Sequence, residues 1–258
     1  MEVVEHFAEL VRKPESEIDL ARGALLIAAA AAPALDPEPP LALLDEFSQG
    51  VGDLVGLCRR LFVELGFRGD TRSYHSPVNS FLDRVLERRL GIPITLSVVT
   101  LEVASRAGMA LEPIGMPAHF LVRDPRSGLY IDSFGATVLD DKGCEDLFRE
   151  VSGSGPEVPF RAEMRPVVGP REILARILLN LAHTYRVNVE PKNLEWVLRL
   201  RLVIPGSSPE EAIQLARTIA AQGRVREAVG ELEERARVAP DLAPGYRRAA
   251  RVLLAQLS

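Results

Sequence analysis

Cysteine and histidine are both scarce in this 258-residue chain, and each scarcity closes off a class of function. Only Cys58 and Cys144 are present, so thiols can build neither a disulfide framework nor a zinc site of repeated cysteine pairs. A reducing cytoplasm fits that usage best. His6, His75 and His183 lack the i,i+4 or carboxylate spacing of a zinc site, and no metal or cofactor is expected. Positive charge is in deficit, with 31 Lys and Arg against 36 Asp and Glu, a net charge of −5 and a pI near 5.6. That balance argues against a nucleic-acid partner. Long apolar runs are missing too: the longest, Ala24 to Ala32, stops at Pro33 and is about half the ~20 residues of a membrane span. The amino terminus, Met1-Glu2-Val3-Val4-Glu5-His6, is acidic where a signal peptide starts basic. The expectation is a cytoplasmic protein without a membrane partner.

What the chain does have is apolar substance: 47 % hydrophobic residues can bury one large domain or two ordinary ones. Residues 18–32, 41–47 and 54–65 read as helices, with a proline-rich turn over 36–40 and Gly66 as a C-cap. Helical period returns over 80–90, carrying Arg84, Arg88 and Arg89, a face that is ordinarily just solvated. Pro93 then suits the first turn of a helix to about Ala107, because its fixed φ fits there and its missing N–H costs nothing. Beyond Gly108 the texture becomes β-like over 111–115, 119–123 and 129–134, a small antiparallel sheet, with 160–168 as a candidate edge strand.

From Pro170 everything is helical and a period emerges. Val203-Ile204-Pro205 recurs 35 residues later as Val238-Ala239-Pro240, and Asn188, which tolerates the left-handed conformation, recurs as Gly223. That interval is close to the ~34 of a tetratricopeptide helix pair. The division predicted is 1–168 and 169–258.

One histidine and one aspartate stand in adjacent apolar strands, in Ala118-His119-Phe120-Leu121-Val122-Arg123 and Tyr130-Ile131-Asp132-Ser133-Phe134, after the helix that begins at Gly91-Ile92-Pro93. This is the plan of a cysteine-nucleophile enzyme: a thiol at a helix N-terminus, a base and its orienting carboxylate on neighbouring strands. The thiol is absent.

These residues, with the string from Asn79-Ser80-Phe81-Leu82-Asp83-Arg84 to Gly91-Ile92-Pro93-Ile94-Thr95-Leu96-Ser97 and with Arg176-Ile177-Leu178-Leu179-Asn180-Leu181, resemble bacterial transglutaminase-like proteins of the SirB-one type. The resemblance implies an α+β fold: a helix-rich, papain-like transglutaminase-like core with a small antiparallel sheet, then an all-α tetratricopeptide-like module. It places Pro93 at the cysteine position, and His119 and Asp132 at the histidine and aspartate positions. Ala118 stands where that pattern usually has glycine, and Ser133 where it usually has proline.

Two functional readings follow. In the leading one the chain is non-catalytic and binds a protein or peptide through a degenerate cleft around Asn79, Pro93, Thr95, Ser97, His119 and Asp132, and through the groove of the repeats, in a regulatory or assembly role. The other is an amide-bond hydrolase or acyltransferase in which His119, oriented by Asp132, activates a water or a hydroxyl, Thr95 ahead of Ser97. Against the second stands the tendency of such hydroxyls to bond helix carbonyls, and of Asn79 to brace a loop or cap a helix.

Overall fold

The computed structural model describes residues 2–155 and 157–255. Along the chain run α1 (Glu2–Arg12), α2 (Leu20–Ala31), α3 (Glu38–Ser48), α4 (Leu54–Cys58), the two-residue strand β1 (Arg68–Gly69), α5 (Leu82–Arg88), β2 (Leu90–Gly91) and α6 (Pro93–Arg106). There follow β3 (Glu112–Ile114), β4 (Leu121–Arg123), β5 (Tyr130–Asp132), β6 (Thr137–Leu139) and α7 (Asp141–Ser152). The remainder is helical: α8 (Pro170–Val187), α9 (Pro191–Val203), α10 (Pro209–Ala220), α11 (Val225–Val238) and α12 (Ala243–Leu254).

Two compact units result, one over Glu15–Ile177 and one that joins the amino-terminal segment to the helices from Leu178 onward. The boundary between these units falls inside α8, whose early residues Ile173, Leu174 and Ile177 are fully buried. After α7, Phe160 stacks on Phe148 at 5.0 Å within the first unit.

In the first unit α6 is the central element, buried at ten of its fourteen positions, with α2, α3, α5 and β4 packed around it. Pro93 occupies its first turn as the sequence predicts. The sheet runs β3-β4-β5-β6, antiparallel throughout, with Val122 opposite Ile131 and Ile131 opposite Val138. One of its faces joins α7 in a cluster of Ile114, Met116, Leu121, Tyr130, Cys144 and Phe148.

Several local expectations need correction. The residues read as a turn over 36–40 already belong in part to α3, whose first turn carries Pro39 and Pro40, positions where a missing N–H is harmless. The helix over 54–65 changes after Cys58 into a wider π-helical turn, Arg59–Glu64. The candidate edge strand over 160–168 reduces to a single bridge, Ile114 to Val167, because residues 162–164 turn as a 3₁₀ segment. His119 does not open a strand; it lies in the turn that leads into β4.

In the second unit α1 packs on α9, and α9, α10, α11 and α12 pack in succession, with α10 also meeting α12. The repeated Val-X-Pro marks closure of α9 and α11. At the two positions that the 35-residue interval relates, the left-handed conformation falls on Val189 (φ 56°) and Gly223 (φ 81°), so the first sits one position beyond Asn188. Asn188 instead uses its amide to donate to Glu190.

Candidate functional site

The segment into His119 is shaped by a tight turn in which the His119 N–H donates to the Met116 carbonyl at 3.2 Å. Pro117 takes the second place of the turn and Ala118, at φ 61°, the third, where a positive φ normally selects glycine. The turn delivers a buried imidazole whose Nε2 lies 2.8 Å from Asp132 Oδ1. Asp132 ends β5, and the same Oδ1 accepts the Phe134 N–H at 3.0 Å. A carboxylate in that position only accepts, so Nε2 donates to it, and Nδ1 has no partner among the described residues.

Three further contacts hold this pair in place. Thr100 and Ser133 share a hydroxyl bond of 2.8 Å between α6 and the residue after Asp132, and Ser97 Oγ reaches the Phe120 carbonyl, beside His119, at 3.5 Å. Phe134 turns its ring edge-to-face with both His119 (6.1 Å) and Tyr74 (5.8 Å). That ring lies on Gly69, where a Cβ would stand 2.5 Å from it, and a Cβ on Gly135 would stand 2.5 Å from Asp132 Oδ2. Two glycines therefore clear space for the aromatic wall and the carboxylate.

His119, Asp132 and Pro93 line one cleft of about 930 Å³. Tyr74 and Phe134 supply aromatic surface, and α7 forms a wall with Leu147 and Val151 beside Asp146 and Glu150. No lysine or arginine lines this cleft among the described residues.

The other sequence-predicted residues sit apart from it. Thr95 is buried, and its hydroxyl donates to the Asn79 carbonyl at 2.6 Å while accepting the Ile92 N–H at 3.2 Å, a helix-capping arrangement. Asn79 is fully buried: its amide donates to the Ser73 carbonyl at 2.8 Å and its Oδ1 accepts from Arg88 at 2.8 Å. Arg88 also pairs with Asp70 at 2.9 Å, so it is not part of a solvated basic face. Burial works against ionisation of Asp70, but hydrogen bonds from the Ser73 backbone, Arg88 and Asn79 outweigh it and hold the carboxyl below its ordinary range. This network braces the loop bearing Thr71 and Tyr74 against the cleft. Arg89 likewise faces inward, over the rings of Phe47 (4.4 Å) and Phe67 (5.0 Å).

Neither cysteine replaces the missing thiol. Cys144 is wholly buried under the sheet and Cys58 is half-buried in α4, and desolvation pushes each thiol up to about 11. Sequence reasoning does not single out Tyr74, Thr100 or Phe134. Their roles depend on the neighbours the fold brings, although turn residues do mark the loop from Gly66 to Asn79.

The transglutaminase-like superfamily pattern matches residues 27–179. A UPF0162 protein of Xylella fastidiosa is 38 % identical over 148 residues, 55 % of this chain and 52 % of that protein. One of Pseudomonas aeruginosa is 31 % identical over 208 residues, 75 % of each. F-box only protein 21 of Mus musculus is 36 % identical over 132 residues, 47 % of this chain and 20 % of that protein. The matched region thus spans about half the length of the Xylella relatives. No solved structure matches the chain.

Proposed function

The chain belongs to the transglutaminase-like superfamily, and from that premise we propose that it binds a polypeptide without cleaving it, through the cleft around His119 and through a tetratricopeptide-like groove of its carboxy-terminal helices. The role is a regulatory or assembly one, in the cytoplasm. The observation that carries this reading is the fate of the residues in the first turns of α6, where the nucleophile of such a plan stands. Pro93 fills the start of α6 at the cleft, Thr95 is bonded to Asn79, and Ser97 is turned to Phe120. A base and its orienting acid without a nucleophile remain good at recognition: Nδ1 accepts a hydrogen bond from a peptide N–H, and the α7 wall offers apolar contact. The recurrence of the segment within the much longer F-box only protein 21 supports its use as a module.

A second reading has one observation in its favour, the Nδ1 of His119, which has no partner among the described residues and, in the neutral imidazole, takes a proton from a bound water attacking an amide. Incubation of the protein with a mixed peptide pool, read by mass spectrometry, separates the two. Binding predicts intact peptides retained and slowed hydrogen exchange at Tyr74, Phe134 and α7. Cleavage products that vanish in His119→Ala establish hydrolysis instead.

A further inference from the structure

The second unit carries a charge imbalance that its own contacts leave unresolved. Several of its arginines are engaged: Arg199 pairs with Glu195 and Glu231 at 3.1 Å each, Arg201 with Glu211, Arg224 with Glu195 at 2.7 Å, and Arg237 with Glu234. On α10 and α12 the pattern reverses. Arg217, Arg247, Arg248 and Arg251 are exposed and have no carboxylate partner among the described residues. Arg251 stands four residues from Arg247 and three from Arg248 on the same helix, spacings at which like charges repel.

Beside these charges a groove of about 340 Å³ opens between α10 and α12. Arg217 and Arg248 stand on its walls, and Ile213, Ala249, Val252 and Leu253 give it an apolar surface, with Val252 57 % exposed. Unpaired guanidinium groups flanking aliphatic surface are a matched recognition element: each can grip a carboxylate with two parallel N–H donors while an alkyl side chain fills the space between.

We propose that this groove binds an acidic segment of a partner protein, one in which Asp or Glu alternates with aliphatic residues. It rests on the reading of the carboxy-terminal helices as a polypeptide-binding groove and adds the chemistry of the ligand. Charge complementarity selects the occupant. A nucleic acid fits less well, because the chain as a whole carries −5 and the groove offers no aromatic platform for bases among the described residues. A lipid headgroup surface is flat, whereas the apolar surface here lines a groove between two helices.

A random peptide library selected against the intact protein, with the enriched peptides re-measured by fluorescence anisotropy, tests this. The expected peptides carry Asp or Glu interleaved with Leu, Ile or Val. Their affinity falls roughly tenfold or more in Arg217→Gln/Arg248→Gln, weakens with salt, and is unchanged in His119→Ala. Both substituted arginines are exposed, and circular dichroism verifies that the helices persist. Neutral or basic peptides that bind the double variant as well as the parent but are lost in Val252→Asp overturn the acidic assignment and leave the groove reading in place. Peptides insensitive to all of these substitutions, or no enrichment, overturn both. Tighter arginine-dependent binding of an RNA duplex or of phosphatidylserine vesicles also overturns the proposal.

Discussion

Ala118 holds the left-handed backbone that aims the next residue, His119, into the cleft, and for a residue with a Cβ that conformation costs about 1–2 kcal/mol. Glycine removes the strain but adds freedom to the unfolded chain, so Ala118→Gly is expected to gain about 0.5–1 kcal/mol, a rise in Tm of roughly 2 °C by thermal unfolding. Val189, a well-exposed β-branched residue also at positive φ, behaves the same way on replacement by glycine. The sequence exposes the identity of His119 and Asp132 but not these backbone angles. It places a left-handed residue near Asn188 on side-chain preference alone, and the chain sets it one position later. Thr95 shows the same limit: its place at the start of α6 is legible, whereas the acceptor of its hydroxyl, the Asn79 carbonyl, is brought from sixteen residues away only by folding.

At the level of elements, α6 and the β4–β5 hairpin fix the site together. Thr100 and Ser133 are buried hydroxyls that satisfy each other across that seam. Thr100→Val strands the Ser133 hydroxyl and is expected to cost about 1–3 kcal/mol in urea unfolding, whereas Thr100→Val/Ser133→Ala costs less than the sum of the two single changes. Gly135→Ala drives a Cβ against Asp132 Oδ2 and turns the carboxylate from His119. The prediction is a His119 imidazole resonance that shifts in the NMR spectrum while the global fold persists; an unchanged resonance contradicts it. Which elements exist is readable where apolar period and stop signals agree, as for α6 between Pro93 and Gly108. It is not readable where prolines sit inside a first helical turn, as in α3, or where a β-like run such as 160–168 finds only one bridging partner.

Across the whole molecule, acid is a condition to which the cleft's supports respond. Asp70 has a folded-state pKa below its unfolded value, so its contribution to stability is complete above the ordinary carboxylate range, near ~3.9, and is lost as pH falls through the lower folded value. Arg88→Met is expected to destabilise by about 1–3 kcal/mol at neutral pH and to make the acid limb of a pH–stability curve less steep, because Asp70 then loses one of the partners that lower its pKa. Charge also organises the chain more widely than composition reveals: a net −5 coexists with an arginine stripe on α12 that has no carboxylate partner among the described residues and with Asp146 and Glu150 on the α7 side of the cleft. Those oppositely charged surfaces become visible only once helical positions are assigned.

The central claim is that Pro93 stands where a nucleophile would face His119 at the start of α6. Pro93→Cys puts a thiol in the first turn of α6, in the cleft that His119 also lines, and the rate of iodoacetamide modification at neutral pH reads its activation directly. The account predicts that the introduced thiol reacts at least about tenfold faster than Cys58 or Cys144, whose thiols are pushed up to about 11, and that His119→Ala abolishes the advantage. An introduced thiol no more reactive than those two, or one indifferent to His119, contradicts it.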